Sequence, residues 1–349
     1  MESYRFGIIG CGMISEFHAA GMAEVPNAKL TAVASRHEDN RRKLTDQYGC
    51  EGHEDYREMV RRDDVDIVCI CTPSGAHLEP ALAAAEAGKH VICEKPLEVT
   101  LERCDEMIRA CEENSVRLCG IFPYRFTPGA RTLREAVDAG RFGRLTVGDA
   151  CNKWFRDQAY YDSGEWRGTW KLDGGGACMN QGIHAVDLVQ WYMGDVETVY
   201  GSADCLAHER IEVEDTAVAA IRYKSGAMGV IECATSCFPG LPRQIELHGD
   251  KGTVVMAQEH FARWEFAEER PEDEEIRRTL SVPTDTGSGA ANARDISHEN
   301  FREEFKDVLH ALDTDSPLPI EGREARKSVE IILALYRSAK RGEPVTLPL

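Results

Sequence analysis

YRFGIIGCGMISEFHAAGMAEV, residues 4 to 25, decides the fold. An apolar run ends on a glycine-rich turn and passes directly into a helical segment, the order that a dinucleotide-binding βα unit requires. Gly10 permits the tight turn and Gly12 lets the backbone approach a pyrophosphate. The helix opening at Met13 and Ile14 offers its unpaired N–H groups to phosphate. Ser15 stands where the fingerprint has its third glycine, and it is small enough for close helix–strand packing. The next apolar run, KLTAVAS, ends at Ser35, followed by Arg36, where such units place the group that meets the adenosine ribose. An acidic residue there would accept from both ribose hydroxyls. Ser35 and Arg36 offer a donor and a positive charge instead, so the expectation of NAD or NADP leans towards NADP.

Outward from this unit, strands and helices alternate. Strands over 29–35, 66–71 and 89–93 and helices over 14–24, 38–48, 76–87 and 100–113 predict a doubly wound parallel sheet of Rossmann type across residues 1–122. Ligands bind such sheets at the carboxyl ends of the strands. DIVCICTPSGAH, residues 66–77, breaks there at Thr72 and Pro73, with Ser74 in the turn and His77 opening a helix. AGKHVICEKP, residues 87–96, ends there on Glu94 and Lys95 against Pro96. Thr72, Pro73, Ser74, His77, Glu94 and Lys95 are therefore candidates for lining the dinucleotide, and Lys95 for the chemistry. The competing readings are a capped turn at TPSG and a solvated Glu–Lys pair.

From residue 123 the pattern changes. One helix lies in YRFTPGARTLREAVDAGRFG, and DTAVAAIRYKSGAMGVIECATS and RQIELHGDKGTVVMA read as hairpins turning at Lys224–Gly226 and Gly249–Gly252. Residues 268–296 read as a charged, Gly/Ser-rich surface stretch, and 299–313 and 323–340 as amphipathic helices. Residues 123–349 are thus expected to form an α+β domain on an open, mainly antiparallel sheet, with the last helix free to pack back on the first domain. Within it, KLDGGGACMNQGIHAVDLVQWYMG opens a helix with three glycines. This segment carries Asn180, His184 and Asp187, with Asp173 just ahead. Glycines let a ligand or another backbone come close. Asn180 and His184, four apart, share a helical face, and an imidazole suits proton transfer near neutrality. Tyr124, Arg125, Tyr160, Tyr161, Trp166, Arg167 and Trp170 are candidates for a pocket wall, with ordinary core packing as the alternative for the aromatics.

The 349 residues exceed what one core usually serves. Sixty acidic against 41 basic residues give a net charge of -19, which argues against nucleic acid or an anionic membrane as partner. No apolar run reaches membrane-spanning length and the start lacks a secretory pattern, so the expected location is cytoplasmic. Thirteen scattered cysteines read as reduced thiols, and no metal-binding spacing is present in the sequence.

GIIGCGMIS, CTPSGAH, AGKHVICEKP, the GGG…QGIHAVD helix and the terminal SAKRGEPVTLPL together resemble the glucose–fructose oxidoreductase, inositol dehydrogenase and rhizopine-catabolism family, Gfo/Idh/MocA, over nearly the whole chain. The resemblance implies hydride exchange between NAD(P) and a hydroxyl of a sugar or cyclitol. It also implies a homodimer or homotetramer formed through the second domain's sheet. Lys95 is similar to the family's EKP lysine and His184 to its catalytic histidine. Many members carry an aspartate four residues before that histidine; here Asn180 stands there, an amide that orients an imidazole without offsetting its charge. The expected reaction is oxidation of a secondary alcohol, with Lys95 or His184 removing the hydroxyl proton. Two alternatives stay open: a lyase or hydrolase using transient oxidation with no net cofactor turnover, and a cofactor-binding regulatory protein without chemistry.

Overall fold

The computed structural model describes residues 3–282 and 297–349. The chain divides into two units, Met1–Pro123 with Ser297–Arg326, and Tyr124–Ile296 with Lys327–Leu349.

In the first unit the elements run β1 (Tyr4–Ile9), α1 (Met13–Ala23), β2 (Ala28–Ala34), α2 (Glu38–Tyr48), β3 (Glu51–His53), α3 (Tyr56–Val60), β4 (Ile67–Ile70), α4 (Leu78–Glu86), β5 (His90–Cys93), α5 (Leu101–Glu113) and β6 (Leu118–Gly120). The strands pair in the order β3-β2-β1-β4-β5-β6, all parallel. Ile67, Val68, Cys69 and Ile70 of β4 are all buried, as a strand covered on both faces requires. β3 and β6, three residues each, are too short to show a strand period, and the sequence reading missed them.

The second unit begins with α6 (Pro128–Asp138), β7 (Leu145–Lys153) and α7 (Gln158–Asp162). A π-helical turn, Ala177–Gly182, then runs into α8 (Ile183–Met193). β8 (Val196–Asp204), β9 (Thr216–Tyr223), β10 (Met228–Ala234), β11 (Gln244–Gly249), β12 (Gly252–Ala257), β13 (His260–Phe266) and α9 (Pro271–Thr279) follow. Together with β14 (Val345–Thr346) the strands form one sheet, β13-β12-β11-β7-β10-β9-β8-β14, antiparallel except between β7 and β10. The strands alternate buried and exposed residues, so one face is core. Tyr200, Val218, Met228 and Val230 lie exposed.

Two expectations need correction. Residues 271–279, placed in a loose surface stretch, are α9, because the buried Asp273 accepts from Trp264 Nε1 (2.7 Å) and from both terminal nitrogens of Arg141 (2.5 and 2.7 Å). The rest of that stretch, 283–296, lies outside the described residues. A boundary at 122/123 assigns residues 297–326 to the second domain, whereas they join the first unit. There α10 (Glu299–Thr314) sets Phe305 against Phe6 (ring centres 5.8 Å apart) and Phe301 against His18 (5.1 Å), covering apolar surface of β1 and α1. α11 (Gly322–Arg341) closes the helical series. All thirteen cysteines are free thiols, and among the described residues no helix is long and apolar enough to cross a membrane.

Candidate functional site

Three strands of the first sheet end side by side, and each delivers part of the candidate cradle. After β1, Gly10 sits at φ +94°, and a Cβ there would meet the Cys71 carbonyl oxygen at 2.6 Å, so its own neighbours demand glycine. Gly12 differs: a Cβ built on it meets nothing within 4 Å. No side chain caps α1, and Met13 is exposed beside this space. An uncapped helix terminus with open room over its first residue suits a pyrophosphate. Ser15, fully buried, bonds the Gly12 carbonyl at 2.5 Å and takes the packing role of the missing glycine. At the end of β2, Ser35 Oγ accepts from the His37 N–H at 3.3 Å and Arg36 is exposed. Arg41, which the sequence reading passed over, donates to the Ser35 carbonyl.

After β4, Thr72 Oγ1 donates to the Ala76 carbonyl (2.9 Å), and Ser74, buried, opens a single 3₁₀ turn. His77 is a strut. Its Nδ1 lies 3.0 Å from the Pro96 carbonyl oxygen and its Nε2 3.0 Å from that of Thr72, so the ring ties the loop after β4 to the loop after β5. After β5 the Glu94 carboxylate is likewise spent inward, on His18 Nε2 (2.7 Å) and on the Lys95 backbone N–H (3.1 Å). His18, fully buried, was missed; its one trace in the sequence is a polar residue on the apolar face of α1. Lys95, half-buried, precedes a cis peptide to Pro96.

In the second unit the π-helical turn carries Asn180 and the first turn of α8 carries His184. Asn180 Nδ2 donates to Asp173 Oδ1 at 2.6 Å, while Asp173 Oδ2 accepts from the Gly168 N–H at 2.8 Å. A carboxylate thus stands one hydrogen bond behind the amide. Tyr124 meets the His184 ring edge-on at 4.8 Å, and the guanidinium of the buried Arg243 lies 3.9 Å over the Tyr124 ring.

The triple glycine has a structural cause. A Cβ on Gly176 would fall 1.7 Å from the Glu214 carbonyl oxygen and one on Gly175 2.2 Å from the Tyr336 hydroxyl, so backbone and side chain of the same unit occupy the space offered to a ligand. Glu214 Oε2 accepts from the Gly176 N–H (2.9 Å), and Oε1 accepts from the Cys178 N–H (2.8 Å) and the Tyr336 hydroxyl (2.8 Å). Burial outweighs these bonds and pushes the carboxyl up to about 7. Glu214 was missed, its only trace being an acidic residue ahead of an alternating strand.

Of the expected pocket wall, Arg125 is committed elsewhere. It grips Asp187 through two bonds, 2.7 and 2.6 Å, with both groups buried. Removing either would leave a buried charge, at a cost of roughly 3 to 5 kcal/mol. Tyr161 is core, its hydroxyl 2.7 Å from Thr235 Oγ1. Trp170 is exposed, edge-on to Tyr336. Arg167 lies over the rings of Tyr160 (4.3 Å) and Trp166 (4.5 Å).

Residues 4–121 match a family described as an oxidoreductase family with an NAD-binding Rossmann fold, and residues 130–255 match the GFO/IDH/MocA C-terminal domain. The myo-inositol 2-dehydrogenase of Thermotoga maritima is 29% identical over 98% of this chain and 98% of its own. The levoglucosan dehydrogenase of Pseudarthrobacter phenanthrenivorans is 29% identical over 74% and 75%. Among solved structures, the WlbA dehydrogenase of Bordetella pertussis in complex with NADH and UDP-GlcNAcA superposes with a TM-score of 0.90 at 34% identity, covering 100% of this chain and 99% of that one.

Proposed function

The chain belongs to the Gfo/Idh/MocA family of NAD-binding oxidoreductases, and from that premise we propose that it oxidises a secondary hydroxyl of a sugar, glycoside or cyclitol to a ketone, reversibly, with Lys95 and His184 handling the hydroxyl proton. The observation that carries this reading is the open space at Gly12 on the same sheet edge as Lys95. When bound, the dinucleotide supplies the hydride acceptor, C4 of its nicotinamide. Gly10, Gly12 and the first turn of α1 at Met13 and Ile14 hold the pyrophosphate. Thr72, Pro73 and Ser74 line the path from there to Lys95. The end of β2 carries no carboxylate for the ribose diol and an exposed guanidinium at Arg36, which favours acceptance of NADP beside NAD.

Around the proton, each group has a separate task. Glu94, itself held by His18, fixes the backbone N–H of Lys95 and so the start of its side chain. Asp173 fixes Asn180, and Tyr124 packs against the His184 ring. Lys95 or His184 takes the proton from the alcohol as the carbon is oxidised, and returns it in the reverse direction.

The exposed sheet face supports self-association. Tyr200 pairs with Ala220 and Ala220 with Val230, a row across β8, β9 and β10, and the next row places Met228 opposite Arg222. A homodimer or homotetramer through this face would cover it.

Reduction of NAD or NADP in the presence of sugars, cyclitols and glycosides, with Lys95→Ala alongside, is the test. Reduction by the native protein that falls about a thousandfold in the variant is expected. A glycoside consumed without net cofactor reduction would replace this reading by transient oxidation. Unchanged turnover in Lys95→Ala would remove the lysine from the mechanism.

A further inference from the structure

Two buried guanidinium groups of the second unit are matched by carboxylates: Arg125 meets Asp187 and Arg141 meets Asp273. Arg243 is not. It is 1% exposed, no carboxylate pairs with it among the described residues, and its Nε and Nη1 have no hydrogen-bond partner. A buried charge without a counter-charge is costly, so the contacts that hold it there matter. Nη2 donates to the Gln258 carbonyl at 3.1 Å, and the guanidinium carbon lies 3.9 Å over the Tyr124 ring. A cation stripped of water is drawn to an aromatic face far more strongly than a solvated one.

The backbone around Arg243 keeps it at that ring. Gln258, in the turn between β12 and β13, adopts φ +55°, a left-handed conformation uncommon for a residue with a side chain. From there its N–H donates to the Arg243 carbonyl at 2.7 Å while its own carbonyl accepts from the guanidinium.

The neighbouring strand offers an amide where a counter-charge would fit. Gln244 pairs with Cys151, so Arg243, just before β11, and Asn152, on β7, leave the backbone on the same inner face as cross-strand neighbours. Asn152 is fully buried, and neither atom of its amide has a hydrogen-bond partner. An aspartate at 152 would give the guanidinium an ion pair. The amide leaves the charge of Arg243 to the Tyr124 ring.

On its other contact Tyr124 meets the candidate proton carrier, the His184 ring, at 4.8 Å with the two planes 85° apart. A ring pinned by a cation does not swing freely, and its perpendicular contact restrains the imidazole in turn. We propose that Arg243 is a positioning residue for proton transfer: its charge pins the Tyr124 ring, and Tyr124 fixes the plane of the His184 imidazole. The proposal rests on the reading of His184 as a carrier of the hydroxyl proton, and Arg243, Asn152, Tyr124 and His184 all belong to one unit.

The test compares Arg243→Met, Arg243→Lys, Tyr124→Leu, the double variant Arg243→Met with Tyr124→Leu, and Asn152→Asp in the full chain. Kinetics use NAD or NADP with the best oxidised of a panel of sugars, cyclitols and glycosides that includes glucose, myo-inositol and methyl glucoside. NMR of the histidine rings is recorded on the NADH-loaded protein. Arg243→Met is expected to lower kcat about thirtyfold with KM for sugar and dinucleotide within about twofold, since a small misplacement of a reacting group is enough for such a loss. Tyr124→Leu should match it in kcat, and the double variant should lose no more than about twofold beyond either, because the two residues act as one unit. Arg243→Lys keeps a cation for the ring and should recover most of the loss. Asn152→Asp supplies the missing carboxylate, so the melting temperature should hold or rise while kcat falls about tenfold as the guanidinium turns from the ring to the acid. The His184 ring signals, identified by their loss in His184→Gln, should move in Arg243→Met and Asn152→Asp and stay near native in Arg243→Lys.

Native kcat and unmoved His184 signals in Arg243→Met overturn the proposal; should that variant not fold, the same result in Asn152→Asp overturns it. Losses that multiply in the double variant, or a weaker grip on sugar and NADH in step with kcat, overturn it as well, since they mark separate roles or a general loosening. Signals that move as expected in a protein that oxidises none of the panel keep the Arg243–Tyr124–His184 stack and remove the dehydrogenase reading. Oxidation that survives His184→Gln keeps the dehydrogenase and removes the proton carrier on which the proposal rests.

Discussion

Two glycine-rich turns open helices in this protein, one in each unit, and they look alike in sequence for opposite physical reasons. The turn at Gly10–Gly12 keeps space over Gly12 empty, whereas the turn at Gly174–Gly176 is filled by its own chain, with the Glu214 carbonyl and the Tyr336 hydroxyl where side chains would start. The first leaves open room between strand ends and a helix terminus. The second is a tight seam that fixes the approach to Asn180 and His184 through a buried carboxylate. A run of glycines shows that something comes close; only the neighbours show whether it is ligand or protein.

The sharpest way to break this comparison is to add one methyl group to each turn. Gly176→Ala drives a Cβ into a backbone carbonyl and is expected to cost about 3 to 4 kcal/mol, read as a large loss of melting temperature. Gly12→Ala should leave stability within about 0.5 kcal/mol and weaken dinucleotide binding at least about tenfold, measured by fluorescence titration. Equal effects of the two changes would erase the distinction.

Next in size is the pH dependence of the seam. The Glu214 carboxyl is pushed up to about 7 in the folded protein, against 4.5 for an ordinary glutamic acid. Its folded form therefore keeps a proton that the unfolded chain has released. The stability it confers is full below about pH 4.5 and is lost as the pH rises through about 7, a swing of about 3 kcal/mol. Glu214→Gln should flatten that part of the stability profile, and a profile with the native slope would show that the group does not titrate there.

A smaller effect is expected at Asp173. Asp173→Asn exchanges a charged for a neutral acceptor behind Asn180, worth about a tenfold loss in kcat with KM for the dinucleotide unchanged. Parallel loss of both would point to a general loosening of the segment. Smallest is Arg36→Ala, expected to shift the NADP-to-NAD ratio of kcat/KM by roughly fivefold towards NAD, as befits an exposed charge. No shift would place Arg36 outside the ribose site.

Much of the first unit was legible because its determinants are local. The helix starting at Met13, the break at Thr72–Pro73 and the lysine at the end of β5 follow from propensity and turn chemistry within a few residues. β3 and β6 were not, since three residues carry no period. Less legible is what the side chains of Glu94 and His77 hold within the protein, since their partners His18 and the Pro96 carbonyl lie 76 and 19 residues away. The same holds for Arg125, whose partner Asp187 lies 62 residues on, and for Glu214, which caps a turn 36 to 38 residues before it.

By itself the sequence determined the parallel sheet with its dinucleotide turn, the antiparallel second sheet, the family, and the residue types available for chemistry, because periodicity and glycine or proline geometry act over a few bonds. The tertiary structure alone decided which charged side chains are spent on other parts of the protein and how: Arg125 is neutralised by Asp187 in the core, and Arg167 is packed over the rings of Tyr160 and Trp166. Charge pairing depends on distance in space, and neither spacing nor composition encodes that distance.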